Sequence, residues 1–198
     1  MSAVIGKSAP AFEMDAYLPA TGEVKRLRLE DFKGKWLVLY FYPADFTFVC
    51  PTELKDIAER YREITELGGE VVAVSTDTVY THKGWLETEK LLEKVKYPMA
   101  ADHNARWTKA YGAYDEEKGV AMRAAYIIDP DGILRAVYIV DEPIGRSSLE
   151  VVRLIKALKF VKENPGSACP ASWDVGLPVL KPSVKIAGHV YEAIEGKK

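Results

Sequence analysis

The sequence predicts an α/β protein with a mixed central sheet flanked by helices. Three observations lead there. Trp36-Leu37-Val38-Leu39-Tyr40-Phe41-Tyr42 is an unbroken apolar run rich in β-formers, too short for an ordinary helix and suited to a strand buried on both faces. Behind it, Leu54, Ile57, Ala58, Tyr61, Ile64 and Leu67 recur at three- and four-residue steps, the pattern of an amphipathic helix. Later, Asp129-Pro130-Asp131-Gly132 joins two apolar runs. This is turn chemistry for a hairpin, which adds an antiparallel pair to the sheet.

The other elements follow in order. Residues 1–34 are polar and turn-rich, with Pro19-Ala20-Thr21-Gly22 as a hairpin loop and Phe32–Lys35 as a short turn. The first long helix closes at Gly68-Gly69, where glycine accepts the left-handed cap conformation. Val71–Ser75 is a second buried strand. A helix is expected around His82–Lys96 and a short one over Asn104–Tyr111. Arg123–Asp129 and Ile133–Val140 are the hairpin strands. Ser147 with Glu150 three residues later matches a capping box, opening a helix with Val151, Leu154, Ile155, Leu158 and Val161 on one face. Beyond Asn164, prolines 165, 170, 178 and 182 and two glycines leave no helical period. The expected division is a domain over 1–164 and an extended, mobile tail over 165–198 that carries Cys169.

Composition bounds the function. The 198 residues hold 27 Lys and Arg against 29 Asp and Glu, for a formal net charge of −2, and 48% are hydrophobic. A chain of this size buries a core without disulfide or metal staples. It has no basic surplus for nucleic acid and no run near the roughly 20 apolar residues of a membrane span. Met1–Lys7 lacks the basic-then-apolar layout of a signal peptide, so a cytoplasmic location is expected. The two cysteines, Cys50 and Cys169, are too few for a disulfide framework and wrongly spaced for zinc. The three histidines, His82, His103 and His189, show no ligand spacing and are expected on helix faces or the surface.

Pro43-Ala44-Asp45-Phe46-Thr47-Phe48-Val49-Cys50-Pro51 links the first strand to the first helix. Pro51 suits the first helical position, where a missing N–H costs nothing, so Cys50 falls at or beside the N-cap. Free backbone N–H groups and the helix dipole favour an anion there, and a thiolate is one. The same position also suits a bland buried thiol. Phe46, Phe48 and Val49 form either a lid on the core or an apolar collar around Cys50. The Thr47 hydroxyl serves either a local turn bond or a ligand. Trp85 lines either the core or an active site or interface.

The spacing P-x-x-x-T-x-x-C formed by Pro43, Thr47 and Cys50, continued as Cys50-Pro51-Thr52-Glu53-Leu54, resembles the active-site motif of the peroxiredoxins. Thr81-His82-Lys83-Gly84-Trp85, the stretch Arg123–Gly132, Gly145-Arg146 and Cys169-Pro170-Ala171 fall in the same family order. Within the family the chain is similar to typical 2-Cys enzymes of the alkyl hydroperoxide reductase C type, over roughly residues 4–185. The resemblance implies a thioredoxin-like fold and a peroxidase with no metal or organic cofactor. It casts Cys50 as the peroxidatic cysteine, whose thiolate becomes a sulfenic acid, and Thr47 as the residue that bonds peroxide and thiolate. Pro43 shields the loop, Arg123 is the active-site arginine, and Glu53 with Arg146 orients arginine and loop. Cys169 is the resolving cysteine, acting from a partner subunit's tail. The implied partners are peroxides, a homodimer that builds a ring (a decamer is expected), and a reductant that is a thioredoxin or a dedicated flavoprotein. A chaperone (holdase) role of the ring is the alternative.

A magnitude shows why the thiolate alone does not suffice. A cysteine of pKa about 8.5 is roughly 3% thiolate at pH 7, and lowering the pKa to about 6 makes it roughly 90%. Nucleophilicity falls with basicity, so with a Brønsted slope of about 0.45 most of this thirtyfold gain is lost, leaving about threefold. Fast reduction must therefore draw on groups that align the O–O bond and stabilise charge on the leaving oxygen. Arg123, the helix N–H groups and Thr47 suit that work. A resolving thiol protects the sulfenic acid from over-oxidation. Disulfide formation needs Cα atoms within about 7 Å, so one or both cysteine segments are expected to unravel.

Some members of the family carry a Gly-Gly-Leu-Gly insertion before the position of Tyr97-Pro98-Met99 and a Tyr-Phe pair near the C-terminus, features tied to over-oxidation sensitivity. Here Leu91–Met99 runs through without the insertion, and Gly188-His189-Val190-Tyr191-Glu192 offers no such pair. The expected outcome is a robust enzyme that keeps its activity in hydrogen peroxide dose–inactivation curves. Sulfinylation of Cys50 at low peroxide excess would contradict it.

Overall fold

The computed structural model describes residues 3–195; the first two and last three positions of the expected domain and tail lie outside it. A hairpin of β1 (Glu13–Leu18) and β2 (Glu23–Arg28) leads into β3 (Trp36–Phe41). There follow α1 (Cys50–Glu66), β4 (Gly69–Ser75), α2 (Val79–Thr88), β5 (Met99–Ala101) and α3 (Arg106–Tyr111). A small separate hairpin, β6 (Tyr114–Asp115) with β7 (Val120–Ala121), precedes β8 (Arg123–Ile128), β9 (Leu134–Val140), α4 (Ser148–Glu163) and α5 (Val190–Ile194). The main sheet has seven strands in the order β2-β1-β5-β4-β3-β8-β9.

β3 pairs in parallel with β4 and antiparallel with β8, and β8 and β9 form the antiparallel hairpin that the Asp129–Gly132 turn predicts. All its residues are buried, and their alternation divides the core in two. Val38 and Tyr40 face Leu54, Ile57, Val151 and Ile155, the apolar faces of α1 and α4. Leu37, Leu39 and Phe41 face Phe12, Tyr111 and Tyr126 on the other side. Helix α1 ends where Gly68 turns the chain at φ 80°, a conformation that strains side-chain-bearing residues. Gly69 is needed for a different reason. A Cβ there would lie 2.8 Å from Ile64 Cγ2, so the start of β4 sits tight against the helix.

The structure corrects several boundaries. The helix expected over His82–Lys96 starts at Val79, where the Thr78 side chain caps it, and stops at Thr88. Glu89 is extended there, with its carboxylate accepting from Leu91 N–H in a short 3-10 turn. Leu92, Val95 and Tyr97 are then buried by an irregular path rather than by one helical face. Ser147 is the N-cap of α4 but makes no side-chain cap bond, so the expected capping box is not formed. The Ser148 N–H donates instead to Asp56 Oδ2 of α1 at 2.8 Å, while Glu150 pairs with Arg153. Val161 lies on the exposed side of α4. The tail folds back over α4. Ala168 and Leu180 pair as an isolated bridge, and buried Trp173 packs its ring 4.9 Å from that of Phe160.

Because α4 is capped from α1 rather than by its own serine, Ser147→Ala should leave stability within about 0.5 kcal/mol. Asp56→Ala should cost about 1 kcal/mol, the usual value of a helix cap. Urea denaturation of the two variants measures the difference.

Candidate active site

At the end of β3 the Tyr42 N–H donates to Val74 O at 2.9 Å, and the chain then crosses to α1. Pro43 is buried in this crossing and Cys50 is the first residue of α1, with no exposed surface. Pro51 follows it without loss of a helical bond. Phe46 and Phe48 correct the lid reading, since they are 58% and 91% exposed rather than folded into the core. Phe46 adopts a left-handed φ of 54° and its ring stands 6.1 Å from that of Trp85. Trp85 is itself buried in the core.

Arg123 opens β8, and the register pairs its neighbour Ala124 with Phe41. Its side chain therefore starts at the same end of the sheet as Cys50. Arg123 Nη1 donates to Cys50 Sγ at 3.3 Å and to Glu53 Oε2 at 2.7 Å, while its Nε donates to the Glu142 carbonyl. Glu53 lies one helical turn after Cys50, on the same face. Its carboxylate also accepts from Arg146, from the backbone N–H and Nε at 2.8 Å each and from Nη2 at 3.1 Å. The Arg146 guanidinium lies over the Tyr40 ring at 3.6 Å. Two guanidinium groups thus share one buried carboxylate, leaving net positive charge beside the sulfur. Such charge-assisted donors stabilise an anion there. Burial opposes the charge on Arg123, but the bonds and charges of Cys50 and Glu53 outweigh it and hold its pKa above the ordinary guanidinium value.

Thr47 makes the local bond: its hydroxyl donates to Ala44 O at 2.8 Å, leaving oxygen lone pairs free to accept. Among the described residues no hydrogen bond joins it to Cys50. Thr47 borders a small depression of about 150 Å³ with Phe46 and Trp85. Pro43 and Arg123 border a separate cavity of about 340 Å³ with Met122, Ile139 and Glu142.

Cys169 is elsewhere. Its Sγ lies 3.8 Å from Ala157 O on α4, and burial pushes its thiol pKa up against the opposing pull of Arg153. Helices α1 and α4 run side by side in the same direction: Ser148 meets Asp56, Lys156 meets Glu63, and Lys159 reaches Leu67 O. Cys169 is therefore level with the far end of α1. At 1.5 Å per residue that is about 20 Å from Cys50. Both thiols are free.

The structure thus gathers Cys50, Arg123, Glu53 and Arg146, sets Pro43 and Thr47 at the rim, and leaves Cys169 apart. Sequence reasoning missed the Glu142 carbonyl and the Tyr40 ring. The first is backbone and carries no side-chain signal, and the second reads as core. His82, expected on a helix face or the surface, sits on α2 but is fully buried with Nδ1 2.7 Å from Asp45 Oδ2.

Residues 5–137 match the family model described as AhpC/TSA family. The chain belongs to the AhpC/TSA family. It is 43% identical to alkyl hydroperoxide reductase C of Bacillus subtilis (strain 168) over 187 residues, which span 94% of this chain and 99% of that relative. The protein of the same description from Escherichia coli (strain K12) is 43% identical over 169 residues, 85% of this chain and 90% of the relative. Among solved structures, Enterococcus faecalis AhpC matches with a TM-score of 0.80 at 43% identity, covering 85% of this chain and 99% of that one. A reduced Plasmodium vivax 2-Cys peroxiredoxin matches with a TM-score of 0.88 at 32% identity, covering 94% and 97%. This AhpC/TSA chain accordingly has the thioredoxin-like fold and is an enzyme of the peroxiredoxin class, a thiol peroxidase. No helix among its described residues is long and apolar enough to cross a membrane.

Glu53 is the shared anion of two buried arginines, so Glu53→Gln should cost about 3–5 kcal/mol of stability, the scale for breaking a buried ion pair. Urea denaturation checks this, and a loss below about 1 kcal/mol would contradict the reading.

Proposed function

We propose that the protein reduces hydrogen peroxide and organic hydroperoxides through Cys50, with Cys169 of the partner subunit as the resolving thiol. The observation that carries this is the fully buried Cys50 sulfur at the start of α1, held 3.3 Å from Arg123 Nη1. The Cys50 thiolate attacks the terminal peroxide oxygen, an S–O bond forms and the O–O bond breaks. The released oxide takes a proton and leaves as water or alcohol. Arg123 stabilises the charge that passes from sulfur to the leaving oxygen. Thr47 offers its lone pairs to the peroxide O–H, Pro43 keeps bulk water off the loop, and the Glu53–Arg146 pair fixes Arg123.

The Cys50 sulfenic acid then condenses with the thiol of Cys169, giving a disulfide and water. A separation of about 20 Å along α1 against the roughly 7 Å a disulfide tolerates supports resolution between chains. β9 is an edge strand of the sheet, and exposed Ile139, Ile144 and Leu149 on or near it suit pairing with a second copy. Dimers of this kind build the expected ring. The chain has no C-x-x-C pair of its own, so a separate dithiol protein, a thioredoxin or a flavoprotein reductase, closes the cycle. Two free thiols suit the reducing cytoplasm.

After one equivalent of hydrogen peroxide, a non-reducing gel should show a dimer band that is lost in both Cys50→Ser and Cys169→Ser. Peroxide consumption should vanish in Cys50→Ser, and a wild type that consumes peroxide but stays monomeric on the gel would sink the resolving assignment. Arg123→Gln should lower the rate of Cys50 oxidation by about 10²–10³, the usual effect of losing one donor to a developing oxyanion. The raised Cys169 pKa has a signed consequence: below it, the thiolate fraction climbs about tenfold per pH unit. Stopped-flow measurement should find the disulfide step accelerating across about pH 6 to 8, and a flat profile would contradict it.

A further inference from the structure

A second buried polar cluster lies behind the Cys50 loop. Asp45 is the residue at which this loop is clamped by both main chain and side chain. Its N–H donates to Asp77 Oδ2 at 2.9 Å, and Asp77 is held by the Ser75 hydroxyl at 2.7 Å. Its carboxylate accepts from the Tyr42 hydroxyl at 2.7 Å and lies 2.7 Å from His82 Nδ1. The other ring nitrogen of His82, Nε2, lies 3.2 Å from Ala100 O. A carbonyl can only accept, so Nε2 carries a proton, and one further proton is shared between Nδ1 and Asp45. Burial pushes the Asp45 carboxyl pKa up against the pull of His82 and Tyr42. Neither partner touches solvent, and none of this takes part in the chemistry at Cys50.

The geometry makes α2 a clamp. His82 and Trp85 are three residues apart on one helical face. The first grips Asp45 through the shared proton and the second stands against the ring of Phe46. Phe46 is the strained residue of the loop, so α2 holds down the segment that stores conformational strain. We propose that the buried His82–Asp45 pair is the latch that sets how readily the Cys50 loop unravels. Both are positioning residues for the reaction. With the latch closed, Cys50 stays folded against Arg123 and reacts with peroxide. When the loop opens, Cys50 leaves Arg123 and becomes able to meet another cysteine. The proposal rests on the peroxidase reading only for this kinetic consequence.

Weakening the latch should therefore move the two chemical steps in opposite directions. In His82→Gln, oxidation of Cys50 by peroxide should slow while the subsequent disulfide step quickens, both read by stopped-flow. Hydrogen exchange of the reduced protein should show the amides of residues 46–50 and 52 opening faster by roughly tenfold to hundredfold, the scale of one buried hydrogen-bond group left unmatched. Exchange in β3, β4 and α4 should be unchanged. Asp45→Ala, which leaves His82 Nδ1 without its partner, should reproduce the pattern if His82→Gln fails to fold. Unchanged exchange at 46–52, or uniform acceleration through the core, would overturn the latch. So would two steps that slow together. If the wild type oxidises no peroxide, the peroxidase reading fails, while the exchange measurement still decides the latch.

Discussion

The Glu53 carboxylate is the constraint on which the site depends. It lies on the second step of the α1 face that begins with Cys50, and it accepts from two arginines carried by different elements. One comes from the first residue of β8, the other from the loop before α4. A single buried anion therefore fixes helix, sheet and loop relative to one another. Taking these three charges out of water is costly unless each finds its partner, which ties the arrangement of the site to the correctness of the whole fold. The cation over the Tyr40 ring shows how far into the core this arrangement reaches.

Much of the frame was legible because its signals are local. The apolar run at Trp36–Tyr42 has only one way to be buried at that length. The helix face from Leu54 to Leu67 needs a partner surface, and the Asp129–Gly132 turn dictates an antiparallel neighbour. Elements that carry weak local signal escaped. The Pro19–Gly22 loop announced the β1–β2 hairpin, but the charged run of β2 has no apolar alternation to mark a strand, and β5 is three residues long. The start of α4 was legible at Ser147, but the group that caps it was not, because it is a side chain from another helix, 92 positions away. Sequence spacing sees capping only when the residues are neighbours.

The site divides the same way. Cys50 could be placed by its flanking proline and by helix physics, and its bland alternative is weakened by what the fold puts beside it. Arg123 could not be chosen from composition, since nothing local distinguishes it from other cations. Only the pairing of β8 with β3 brings it to the sulfur. His82 shows the converse failure. A lone histidine without ligand spacing reads as unremarkable, yet its two nitrogens are both matched inside the core. Such matching is a property of three dimensions and has no periodicity to detect.

The docked tail carries a consequence of its own. Trp173 covers Phe160 and is held by a bond from its indole N–H to Leu177 O at 3.1 Å, and burial of a side chain of that size contributes about 2–3 kcal/mol. Cys169 sits on the same stretch, four residues before it. Any change that draws the cysteine off α4 pulls at this anchor, and releasing the indole would uncover an aromatic patch along the helix. Under the proposed resolution by Cys169, the surface a neighbouring protein meets would then differ between the resting and oxidised forms, and the state of the thiols would be legible from outside without contact with sulfur.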